Sequence, residues 1–147
     1  MRLIAAFMIA LLLTSLYADE HESEALLGFF AGKYRFIGVE PGSNRAYCGV
    51  AEFAVAEGQL NMTRTVRGKS VEATAMLEQS EMTGNTLLRI RFHDEGVDYE
   101  ESCLYQSDLD NYARISCYLY EQGKATPMPG LEAYFIDLGI PDDTCTQ

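Results

Sequence analysis

"VDYEESCLYQSDLDNYARISCYLYE", residues 97–121, decides the fold. Two segments rich in tyrosine and β-branched residues flank the polar stretch "SDLDN" (107–111), the pattern of a β-hairpin. A three-residue turn at Leu109, Asp110 and Asn111 sets Cys103 directly opposite Cys117, because Asn111 tolerates the left-handed backbone that such turns need. Opposed residues on antiparallel strands bring their Cα atoms within reach of a disulfide. The expected Cys103–Cys117 bridge closes a short loop, worth about 3 kcal/mol in chain entropy.

The same alternation extends outward from this hairpin. Segments 33–39, 47–57, 60–67, 70–79 and 86–93 also read as strands, separated by the turn-formers "EPGSNRA", "EGQ", "RGK", "MTGN" and "DEG". Seven strands in a row, 33–39 to 111–121, are thus joined by hairpin-length loops with no helix-sized gap. Strands joined this way lie antiparallel and adjacent. An open meander would expose two edges, and closure into an up-and-down barrel removes them. A sandwich needs a long crossing connection, and none is visible. The expected fold is therefore all-β, an antiparallel up-and-down barrel of seven or eight strands. Ser23 caps a short N-terminal helix over 23–31 that ends at Gly32. The tail "GLEAYFIDLGIPDD" (130–143) fits two periods. Period two makes it an eighth strand; period 3.6 gathers Leu131, Tyr134, Phe135 and Leu138 on one face, with Gly139 as the left-handed cap. The helical reading is preferred, a short C-terminal helix lying on the barrel wall, with any eighth strand near 124–128.

The chain opens "MRLIAAFMIALLLTSLYA". A basic residue, an apolar run too short to span a bilayer and a small-residue site at Ala18 predict a signal peptide over 1–18. Residues 19–147 are then a single domain, secreted or periplasmic. Loss of Arg2 leaves 10 basic and 22 acidic residues, a net charge of −12. So acidic a chain is a poor ligand for nucleic acid or an anionic membrane, and the charge favours a monomer. Four cysteines behind a leader imply two disulfides. With Cys103 and Cys117 paired, Cys48 and Cys145 remain, although other connectivities stay open on sequence alone. There is no Cys-x-x-Cys and only two histidines, so no metal site is expected, and no cofactor. Residues 61–63, "NMT", match an N-glycosylation acceptor in a eukaryotic host.

Three places resemble the lipocalin family, the ligand-binding up-and-down barrels. Gly32-Lys33-Tyr34 opens the first strand where lipocalins place Gly-x-Trp. Ser107-Asp108-Leu109-Asp110-Asn111-Tyr112 stands where they carry Thr-Asp-Tyr-x-x-Tyr. "LGIPDD" followed by Cys145 is similar to the end of their C-terminal helix and its trailing cysteine. The resemblance covers residues 28–147 and implies a barrel that holds a small apolar or amphipathic molecule.

Catalytic chemistry finds little support. His93-Asp94-Glu95 reads as a solvated turn, and Asp94, Glu95, Asp98, Glu100 and Glu101 as a solvated charge run rather than a calcium loop. No nucleophile elbow is present, and an enzyme is not expected. The barrel interior is the better candidate. Leu60, Met62, Arg64 and Val66 share one strand face; Val97, Tyr99, Glu101, Cys103 and Tyr105 share another. Phe53, Met62, Arg64, Phe92, Tyr99 and Glu101 are the candidate ligand-binding residues. Arg64 and Glu101 are charges on apolar faces and demand partners if they point inward. The preferred expectation for Arg64 is a strand-end position reaching solvent; the alternatives are pairing with Glu101 or with a ligand's carboxylate. Two functions follow: a carrier with a hollow barrel, whose cavity would measure about 300–1,000 Å³, or a filled barrel that binds a protein partner, such as an acidic inhibitor of a basic enzyme.

Overall fold

In the computed structural model the described residues are 26–80, 84–105, 114–124 and 127–139. Eight strands follow in order: β1 (Gly32–Val39), β2 (Ala46–Ala56), β3 (Gln59–Val66), β4 (Lys69–Gln79), β5 (Thr86–Asp94), β6 (Val97–Leu104), β7 (Ile115–Glu121) and β8 (Gly130–Ile136). Each pairs antiparallel with its sequence neighbours, and β8 pairs with β1 to close the barrel. Among the described residues no helix is long and apolar enough to cross a membrane.

Local chemistry explains the register. Glu57-Gly58, Arg67-Gly68 and Glu95-Gly96 all have positive φ, the signature of two-residue turns whose twist matches the strands they join. They bring Ala56 opposite Gln59, Val66 opposite Lys69, and Asp94 opposite Val97. Side chains then alternate between the barrel interior and solvent along each strand.

The C-terminal segment corrects the helical expectation for 131–138: it is β8. Period two governs its burial. Gly130, Glu132 and Tyr134 face inward, whereas Leu131 and Leu138, placed by the helical reading on one face with Tyr134, are 49% and 77% exposed. The physical reason is closure. Without β8, β1 and β7 would each leave a ladder of backbone groups unpaired. Tyr134 instead lies opposite Phe36 on one side and Ile115 on the other. Gly139 does adopt the left-handed conformation expected of it, but beyond a strand rather than at a helix end.

Residues 26–30 are helical and plug one end. Phe30 is fully buried, its carbonyl accepts a hydrogen bond from the Tyr34 hydroxyl at 3.0 Å, and its ring meets Tyr105 edge-on. The guanidinium of Arg114 stacks on Phe29. Ala31, the last residue of the expected 23–31 helix, is not helical; residues 23–25, the 1–18 leader and the 107–112 turn lie outside the described residues.

Cys103 lies opposite Cys117, and the two are disulfide-bonded with their Cα atoms 4.0 Å apart. Both are buried in the barrel. Cys48 is also disulfide-bonded; its expected partner, Cys145, lies outside the described residues. Replacing both Cys103 and Cys117 by alanine is expected to lower the unfolding free energy by about 3 kcal/mol. Denaturant titration measures the loss, and a non-reducing peptide map of the wild type without a 103–117 crosslink would refute the pairing.

Candidate functional site

All six candidate residues stand on inward-facing positions, but at different depths. Phe53, Met62 and Glu101 are buried within the filled part of the barrel with Tyr34, Leu60, Leu88 and Ile90. Arg64, Phe92 and Tyr99 line a cavity of about 570 Å³, within the size range of small-molecule sites. The cavity opens at the end formed by the β1–β2, β3–β4, β5–β6 and β7–β8 connections, opposite the helical plug. Its floor follows from the register. On β3, Val66 and Arg64 line it and Met62 does not; on β5, Asp94 and Phe92 do and Ile90 does not; on β7, Glu121 and Leu119 do and Cys117 does not.

Arg64 is therefore not a strand-end side chain reaching solvent. It is 6% exposed. Its Nη2 donates to Glu132 Oε1 at 2.6 Å, so the carboxylate that balances it comes from β8 rather than from Glu101. Phe92 and Phe36 cover the guanidinium faces, with ring centroids 4.2 Å and 5.2 Å from Cζ. Burial alone would favour loss of the proton, but the carboxylate of Glu132 and the other groups of the cluster outweigh it, and the pKa is raised. The arginine stays charged.

Glu132 also accepts hydrogen bonds from the Tyr47 and Tyr134 hydroxyls. Tyr47 reaches it from β2, across the whole width of β1. The strand residue in between is Gly38, where an added Cβ would lie 2.7 Å from the Tyr47 ring and 2.9 Å from its hydroxyl. The missing side chain at Gly38 is what lets the contact form.

Glu101 completes the cluster. Both its oxygens contact the Tyr134 hydroxyl, at 3.1 and 2.9 Å. That hydroxyl has one proton to give and also touches Glu132. One proton cannot serve two ionised carboxylates. Burial raises the pKa of Glu101 well above its ordinary value, and the charge of Glu132 raises it further, only partly offset by Arg64. Glu101 is thus the protonated member. It donates to Tyr134 Oη, Tyr134 donates to Glu132, and Glu132 pairs with Arg64. The cluster is electrically neutral. The tyrosines keep their protons, since burial raises both, reinforced by the neighbouring carboxylates.

The acidic run divides accordingly. Glu101 is fully buried rather than solvated. Asp94 pairs with Lys69, Asp98 with His93, and Glu100 with Arg89 and Arg91, which Glu78 joins from β4. Glu101, Cys103 and Cys117 lie close enough together to suggest a metal site, but the two sulfurs are bonded to each other and are not available as thiolate ligands. A larger groove of about 860 Å³ runs over the outer face of β1, β8 and β7, lined by Ile37, Cys48, Tyr118 and Leu131. Glu132 and Arg67 also border it. No protein-family model, curated protein or solved structure matches the chain.

Tyr47, Glu132 and Tyr134 escape a reading of the sequence. Two of them belong to the segment that reads as a helix, and Tyr47 becomes visible only once Gly38 is known to lie beside it.

Arg64→Met is expected to cost about 3–5 kcal/mol, because it strands Glu132 as an unpaired buried charge. Adding Glu132→Gln should recover much of the loss. If the double variant is no more stable than the single one, the pairing is wrong.

Glu101 gives a pH dependence of definite sign. The folded chain holds a proton that the unfolded chain releases above its ordinary value of 4.5. The associated stability is fully present below that value and is lost as pH rises toward the raised one. Glu101→Gln, neutral at every pH, should therefore raise the melting temperature relative to wild type at pH 8 more than at pH 4. A larger benefit at pH 4 would show Glu101 to be ionised in the fold.

Proposed function

We propose that this chain is a lipocalin-like binding protein, secreted or periplasmic, that holds a small and largely apolar ligand in the open end of its barrel. The observation that carries the reading is the cavity itself, about 570 Å³, bordered in its depth by Arg64, Phe92, Val66, Val71, Tyr99 and Leu119 and rimmed by charged side chains, among them Glu40, Arg45, Lys69 and Asp94. Concave sites of this size, apolar in their depth with convergent polar groups, are where small molecules bind. The barrel is filled from the plug up to the Arg64 layer and open above it, so a ligand enters a preformed space and the lower core supplies rigidity. The buried Cys103–Cys117 bridge suits an oxidising compartment.

A second reading, a protein-interaction module, is favoured by one feature. Ile37, Leu104, Tyr118 and Leu131 form an apolar outer surface, each about half exposed or more, and such patches mark protein contacts.

Displacement of a fluorescent apolar probe separates the two. Wild type should bind the probe, and Val71→Trp, which fills the cavity from a half-buried wall position, should weaken binding at least tenfold with little change in melting temperature. Absence of probe binding by the wild type would transfer the proposal to the interaction module.

A further inference from the structure

The proposed ligand site has an electrostatic character of its own. The charge of Arg64 is already balanced by Glu132, at 2.6 Å. Yet that single hydrogen bond uses one of the guanidinium's N–H groups; Nε is closed off from the cavity and has no hydrogen-bond partner among the described residues, and the small exposed part of the side chain borders the cavity. The group also lies over the Phe92 and Phe36 rings, which take up part of its surroundings without accepting a hydrogen bond from it in plane. The cations around the mouth are likewise engaged. Arg45 pairs with Glu40, Arg67 lies 4.0 Å from the same carboxylate, and Lys69 pairs with Asp94 and Glu95. The edge of Arg64 that borders the cavity therefore offers N–H donors without surplus positive charge.

We infer that the ligand enters as a neutral molecule whose buried end carries a hydrogen-bond acceptor meeting Arg64, an apolar carbonyl compound such as a ketone, aldehyde or ester. A carboxylate fits badly. It would add a negative charge next to the buried Glu132, with no free cation among the described lining residues to balance it. A plain hydrocarbon fits the walls but leaves the arginine's donors unmet. The inference rests on the cavity being the ligand site, and it settles the polar end that the site selects.

The test is a calorimetric titration of the full disulfide-bonded chain with four matched probes of decyl chain length: a methyl ketone, a methyl ester, the alkane and the carboxylate. At neutral pH the ketone and ester should bind about tenfold or more tightly than the alkane and the carboxylate, the difference expected for one hydrogen bond to a charged donor. Carboxylate binding should strengthen as pH falls through the probe's own pKa and it becomes neutral. A carboxylate that binds best at neutral pH overturns the inference. So does an alkane that matches the ketone, although the cavity then still stands as a ligand site. If none of the four binds, the cavity reading itself fails, and the inference with it. Arg64→Met/Glu132→Gln, which removes the donor and the charge together, should bind ketone and alkane equally. Should that variant not fold, the wild-type series decides alone.

Discussion

A buried arginine has to be neutralised, and the way this barrel does it organises the rest of the molecule. Arg64 comes from β3, Tyr47 from β2, Glu101 from β6, and Glu132 and Tyr134 from β8. The cluster thus joins strands from opposite walls through the interior, and it needs all of them in register. A one-residue slip of any strand would turn its member outward. Buried ion pairs contribute little net stability compared with an apolar core of the same volume, whereas breaking one is expensive. The consequence here is specificity of register and closure. β8 must pair with β1 and β7 at the one alignment that presents both Glu132 and Tyr134 inward.

The same layer divides the interior. Below it, toward the plug, aromatic and aliphatic side chains fill the barrel. Tyr34, Phe36, Phe53 and Tyr134 pack with ring centroids 5.1–6.1 Å apart, mostly edge to face. Above it the interior is open. Hollow and filled are therefore not alternatives for this barrel, since each describes one half. The charged layer sits at the boundary, where Arg64 is shielded from water yet within reach of whatever occupies the mouth.

Most of the architecture was legible in the sequence because it is written in local chemistry. Glu57-Gly58, Arg67-Gly68 and Glu95-Gly96 specify tight turns, and alternation specifies the faces, so seven strands and the Cys103–Cys117 register follow from short-range pattern. The eighth strand did not follow, for a physical reason. Leu131, Tyr134, Phe135 and Leu138 satisfy a helical period, and what selects the strand is long-range, the unpaired edges of β1 and β7. That single difference also hid the centre of the site. Arg64 and Glu101 stood out as charges on apolar strand faces. A helix over 131–138 does not present Glu132 as an inward carboxylate, which leaves Glu101 as the protein partner that the sequence offers Arg64. The strand face that carries Glu132 and Tyr134 supplies both the missing carboxylate and the hydroxyl that relays to Glu101.

The proton count explains why two glutamates are compatible with one arginine. Were Glu101 ionised, the barrel would enclose an unbalanced negative charge, and Tyr134 would face two acceptors with one proton. Protonating Glu101 removes both difficulties and turns the cluster into a directed chain of donors that ends on the Arg64–Glu132 pair. The direction matters for the open half. Every donor in the relay points toward Glu132, whose oxygens are thereby occupied by Tyr47, Tyr134 and Arg64. No acceptor of the cluster is left over for the remaining N–H groups of Arg64. That Nε has no partner among the described residues follows from how the rest of the cluster is satisfied, and Arg64 borders the cavity at the open end of the barrel.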